Sequence, residues 1–144
     1  MSTSIAGAPM VVTHESRARF AVQIRSHRLV VDQTLRGGGD DAGPEPIELL
    51  GAALGSCVAY YIAEFCRARS LSSDGMVVTV RQHMASDPRR VAEFVIAVSL
   101  PASFPERYLE TVERVARSCP VHNTLMHGAG VAVSVEKLNV PAVA

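Results

Sequence analysis

From Ala18 to Arg25 the side chains alternate, with Ala18, Phe20, Val22 and Ile24 on one face and Arg19, Ala21, Gln23 and Arg25 on the other. A period of two is that of a half-buried strand. A turn at Ser26 and His27 leads into a second strand through Leu29, Val30 and Val31. Gly37 to Asp41 break the pattern, and Gly43 to Pro46 close the break, so this stretch reads as a loop. Pro46 suits a first helical position, where its missing N–H costs nothing, and Glu48 places a carboxylate in the positive first turn. The helix predicted from there runs through Leu49, Leu50, Ala53, Leu54, Val58, Tyr61 and Ile62 and ends near Arg69 and Ser70. It meets no charge between Glu48 and Glu64, so it should be apolar all round and buried. Its small residues Gly51, Ala52, Gly55 and Ser56 would let another helix approach closely.

Val77 to Met84 and Val91 to Leu100 then read as a hairpin with a charged tip at Asp87 to Arg90. Pro105 opens a second, amphipathic helix whose Tyr108, Val112, Val115, Ala116 and Cys119 recur at helical spacing. Pro120 should break or restart it. Val131, Val133 and Val135 supply a last strand. The sum is one α+β domain over residues 1–144, with residues 1–10 expected as a flexible lead-in.

Composition narrows the function classes. With 48% hydrophobic residues and 14 basic against 14 acidic side chains, the 144-residue chain is neither a disordered segment nor a basic nucleic-acid binder. The uncharged apolar stretch from Leu49 to Ala63 is shorter than the roughly 20 residues of a membrane span, so no membrane partner is expected. Met1 to Pro9 lack a cationic start followed by an apolar run, and cytoplasmic residence is the expectation. The Gly-rich loop lacks both the Lys-Ser/Thr ending of a P-loop and dinucleotide-fingerprint spacing.

Chemistry centres on the cysteines, whose odd number cannot pair completely within one chain. Cys57 falls mid-helix, on the face of Leu50, Leu54 and Tyr61, where an unpaired Cys often acts as a small hydrophobe. Cys119, just before Pro120, would sit at an N-cap, where free N–H groups and the helix dipole favour thiolate. Cys66, about half a helical turn round from Cys57, reads as packing. Cys57, Cys119 and His122 have no local spacing of a zinc site, so no metal is expected.

The run Pro46-Ile47-Glu48-Leu49-Leu50-Gly51-Ala52-Ala53-Leu54-Gly55-Ser56-Cys57 resembles the first cysteine helix of the OsmC/Ohr family, and Cys119-Pro120-Val121-His122-Asn123-Thr124-Leu125 resembles its second cysteine motif. Arg28-Leu29-Val30-Val31-Asp32 and the Gly-rich loop are similar to the family's N-terminal portion, so the resemblance covers about Phe20 to Leu138. It implies an intertwined α+β homodimer, with antiparallel sheets from both chains packed around buried central helices. It also implies a peroxidase for organic hydroperoxides in which Cys57 attacks and Cys119 forms the disulfide. The alternatives are a dimeric stress or small-ligand-binding protein with little peroxidase activity, and thiol chemistry on a different electrophile.

A buried thiol needs a cation or hydrogen-bond donor to hold its charge. In the family's peroxidases an Arg oriented by a Glu does this. Arg19 is the best match, with Arg25 and Arg28 as rivals, and the plain alternative for each is a solvated strand residue. Glu48 resembles the family's carboxylate but stands one position later, where the family pattern would use the place of Ile47. Nine residues of helix is about 13.5 Å and half a turn, so Glu48 should not reach Cys57 of its own straight helix. It would act from a partner chain, through Arg or after helix distortion, or simply occupy a first helical turn. No bound cofactor is implied, and the reductant suggested by the resemblance is a dithiol, such as a lipoylated protein.

Overall fold

Residues 5–138 are described in the computed structural model of the chain. Met10–Ser16 (β1), Arg19–Ile24 (β2) and His27–Val31 (β3) form an antiparallel sheet in that order. The alternation around Phe20 marks β2, but β1 escapes the sequence analysis. Its turn at Arg17 and Ala18 carries no Gly, Asn or Pro, and Arg17 itself adopts the left-handed conformation at φ +48°. Of the expected lead-in 1–10, residues 1–4 lie outside the described residues and Met10 already belongs to β1.

The Gly-rich segment folds back on β3. Asp32 is buried, and its carboxylate accepts the backbone N–H groups of Gln33 (2.8 Å), Asp40 (3.1 Å) and Ala42 (3.1 Å). Gly39 has to be glycine, since a Cβ there would lie 2.1 Å from the Gln33 carbonyl oxygen. Burial by itself would raise the Asp32 carboxyl pKa. The three N–H groups and the nearby Arg19 charge outweigh it and hold the carboxyl below the usual range.

Pro46–Ala68 (α1) begins with Pro46 at its first position, and Glu48 Oε2 accepts the Glu45 N–H at 2.8 Å. One side of α1 packs on the hairpin Val77–Ser86 (β4) and Arg89–Ser99 (β5), where Val78, Val80 and Gln82 pair with Val98, Ile96 and Phe94. The close approach to β4 falls at Gly55, where a Cβ would come within 2.8 Å of Val80 Cγ2. The small residues of α1 therefore admit a strand, not a helix as expected, because Gly51 and Gly55 lie on the β4 side while Ala52 and Ser56 are exposed.

The second helix is shorter than its periodicity suggests. A 3-10 turn at Glu106–Tyr108 precedes Leu109–Ala116 (α2), and Pro120 starts a separate helix, Pro120–His127 (α3). Tyr108 stacks edge-on against Phe65 of α1 at 5.8 Å and anchors this segment. Leu54, Val58, Ile62, Phe65 and Cys66 of α1 share the core with Phe104, Val112 and Cys119.

Two expectations fail within one chain. Val131, Val133 and Val135 form no strand and are more than four-fifths exposed, since among the described residues no strand pairs with them. Nor is α1 buried all round, since Leu50, Ala52, Ala53, Ser56 and Tyr60 are open. The helix contacts β4, β5, α2 and α3, whereas β1, β2 and β3 pack chiefly on one another. By length and composition alone the 23-residue α1 could cross a membrane, but its contacts mark it as the core helix of this α+β fold.

Candidate functional site

Two elements distant in sequence bring Cys57 and Cys119 together. Cys57 is half-buried on α1, and Cys119 is the fully buried N-cap of α3. Both are free thiols, close enough for Cys57 to raise the Cys119 pKa. Pro120 makes this possible by ending the preceding helix, which leaves Cys119 extended at φ −70° and ψ 145° with its Sγ accepting the His122 N–H at 3.3 Å.

The N-cap geometry is as expected, but the thiolate is not. Burial is the dominant influence and pushes the Cys119 thiol up, Cys57 adds to the rise, and the N–H groups of His122 and Val121 only partly oppose it. Cys119 is therefore held as a neutral thiol beside the more accessible Cys57. Cys66 lies in the apolar core, where burial likewise raises its pKa. His122 approaches Cys119 through its backbone, and its imidazole Nδ1 is buried without a hydrogen bond. Among the described residues no three His, Cys, Asp or Glu side chains converge as metal ligands.

The remaining candidates lie apart from the thiol pair within one chain. Arg19 is on β2, with Nε 3.5 Å from Glu15 Oε2. Arg28 on β3 pairs with the other oxygen of the same carboxylate. Arg25 occupies the exposed β2–β3 turn at φ +54°. Glu48 is exposed, is engaged at the start of α1 and lines an open groove of about 560 Å³ with Gly51, Gly55, Val80 and Gln82. A larger apolar groove of about 810 Å³ has Leu54, Val58 and Ile62 as its floor, between β5 and the helices α2 and α3.

Glu15 and Asp32, the acidic neighbours of Arg19, carry no role in the sequence analysis. Glu15 has no legible signal because β1 itself goes unassigned. Asp32 has a better one, as a polar residue where a strand meets a Gly-rich loop.

The family model describing OsmC-like protein matches residues 38–135. An osmotic stress induced and detoxification response protein from Psychrobacter arcticus has a similar structure, with TM-score 0.76 and 24% identity over 85% of this chain and 91% of that one. The OsmC-like protein of Mycoplasma pneumoniae gives TM-score 0.73 and 14% identity over 84% and 88%. An organic hydroperoxide resistance protein OsmC from Legionella pneumophila gives TM-score 0.58 and 17% identity over 84% and 91%. No curated protein sequence matches the chain. At these identities the structural likenesses speak for the fold. The family match itself spans Gly38 to Val135, including both cysteine segments and the hairpin between them, and on that match the chain belongs to the OsmC-like family.

Proposed function

We propose that this protein is a thiol peroxidase that reduces organic hydroperoxides, with Cys57 as the attacking thiol and Cys119 as the resolving one. The observation that carries the reading is the convergence of two free thiols of unequal exposure, one half-buried and one fully buried. The Cys57 thiolate attacks the terminal peroxide oxygen, the O–O bond breaks, and the alkoxide takes a proton and leaves as alcohol. Cys57 becomes a sulfenic acid. Cys119 then gives up its proton, its sulfur displaces hydroxide from Cys57, and a disulfide and water result. A dithiol donor, such as a lipoylated protein, returns both sulfurs to thiols without a bound cofactor. Neighbouring structures described as organic hydroperoxide resistance proteins favour this class of substrate.

The working unit in this reading is a homodimer in the cytoplasm. One chain leaves open a face of α1, the apolar residues Met10 and Val12 of β1, and the valines at 131, 133 and 135. A second copy would cover them. Because β2 packs chiefly on β1 and β3 and not on α1 of its own chain, this reading takes the Arg19 that activates Cys57 from the partner subunit, with Glu48 at the head of the same helix as Cys57.

Reduced protein mixed with one equivalent of cumene hydroperoxide should lose two thiols per chain, and peptide mapping should find the Cys57–Cys119 disulfide with Cys66 free. Full thiol retention after exposure to cumene hydroperoxide, t-butyl hydroperoxide and hydrogen peroxide would reject the peroxidase reading and favour a dimeric stress or ligand-binding protein.

A further inference from the structure

The strand register sets three charged residues in a row across one sheet face. Phe20 pairs with Val31, so the next positions outward, Arg19 and Asp32, stand side by side. On the other flank, the β1–β2 register shifts between His14 and Ser16 and leaves Glu15 as the extra, unpaired residue of a bulge. A bulge re-aims its side chain, and here the Glu15 carboxylate comes to lie 3.5 Å from Arg19 Nε. That nitrogen is buried without a hydrogen bond, although the Arg19 side chain as a whole is 38% exposed. The exposure therefore belongs to the rest of the side chain. Glu48, the carboxylate that the family resemblance would pair with the arginine, is engaged with the Glu45 N–H at the start of α1.

We propose that Glu15, in place of Glu48, is the positioning residue for Arg19, with the buried Asp32 charge on its other side. A buried N–H without an acceptor is costly, and Glu15 Oε2 is the carboxylate oxygen within reach of it. The Glu15 carboxylate, within ion-pair range of Nε, orients the planar guanidinium and leaves its Nη edge for an anionic or peroxidic oxygen. Arg28 pairs with Glu15 Oε1 and braces the carboxylate from β3. Asp32 is fixed in turn by three backbone N–H groups of the Gly-rich loop. The inference deepens the proposed peroxidase reading and rests on it for the role of Arg19.

The test separates the two layers. In the full-length reduced protein, hydrogen exchange of the Arg19 Nε–H is followed by nitrogen-15 NMR, the resonance being assigned by its loss in Arg19→Lys. Glu15→Gln removes the charge that faces Nε and should speed this exchange about tenfold. Glu15→Asp should restore part of the protection, and Glu48→Gln should leave it unchanged. The pH profile of Cys57 alkylation, read in a background lacking Cys66 and Cys119, should move in Glu15→Gln in the same direction as in Arg19→Lys. The double variant should show no further effect. Exchange in Glu15→Gln within twofold of wild type, or a loss of protection in Glu48→Gln, overturns the assignment. If Glu15→Gln frees Arg19 while Arg19→Ala leaves Cys57 alkylation unchanged, the positioning holds and the role of Arg19 in activation fails.

Discussion

Gly51 and Gly55 stand one turn apart on the buried side of α1, yet adding the same methyl group should change stability in opposite directions. Both substitutions to Ala gain the same helix preference, about 1 kcal/mol. At Gly51 the new Cβ would sit 3.5 Å from Phe94 Cε1, an ordinary contact, so Gly51→Ala should be stabilising by about that amount. At Gly55 it would lie 2.8 Å from Val80 Cγ2. Valine is stiff at χ1 and short, so relief requires β4 or α1 to move. Such overpacking costs about 1–3 kcal/mol, which leaves Gly55→Ala neutral to about 2 kcal/mol destabilised and sets the two variants about 1–3 kcal/mol apart. Urea unfolding at one fixed protein concentration measures this, since any self-association would make the midpoint concentration-dependent. Because Cys57 is two residues beyond Gly55, a displaced helix should also slow disulfide formation with Cys119. Equal midpoints for the two variants would refute the close approach of α1 to β4.

The raised Cys119 pKa makes resolution pH-dependent: with Cys57 already oxidised, disulfide formation followed by stopped-flow should rise about tenfold per pH unit between pH 6 and 8, following the thiolate fraction. Cys119→Ser should stop at the Cys57 sulfenic acid, detectable by dimedone trapping and mass spectrometry. Asp32 has a lowered pKa in the folded chain, so its contribution is complete above the ordinary value of 3.8 and is lost as pH falls through the lower folded value; Asp32→Asn should flatten the acid limb of the stability curve in a thermal-melt series. Cys66, fully buried and raised by that burial, should resist iodoacetamide until unfolding, and labelling as fast as that of Cys57 in native buffer would contradict the core described above.

Local patterning was enough to place α1, the β4–β5 hairpin and the break at Cys119-Pro120, because a period of two, a period of 3.6 and a proline each act over a few residues. The two cysteine segments carried the family in the same way. Strand β1 was lost to reading because its turn relies on a left-handed Arg17 that no residue preference announces. The Val131–Val135 alternation was genuine, yet a strand needs a partner edge, and among the described residues of one chain none pairs with it. The same limit applied to the charges. Sequence spacing located an N-cap thiol and a carboxylate in a first turn, but it could not weigh burial against N–H groups at Cys119 or reveal that Glu48 was engaged by Glu45. Those outcomes depend on how much water each group loses and on which atoms replace it, and the bulge that turns Glu15 toward Arg19 depends on the pairing of two strands. Such quantities exist only once distant segments have packed, so the tertiary structure alone decides them.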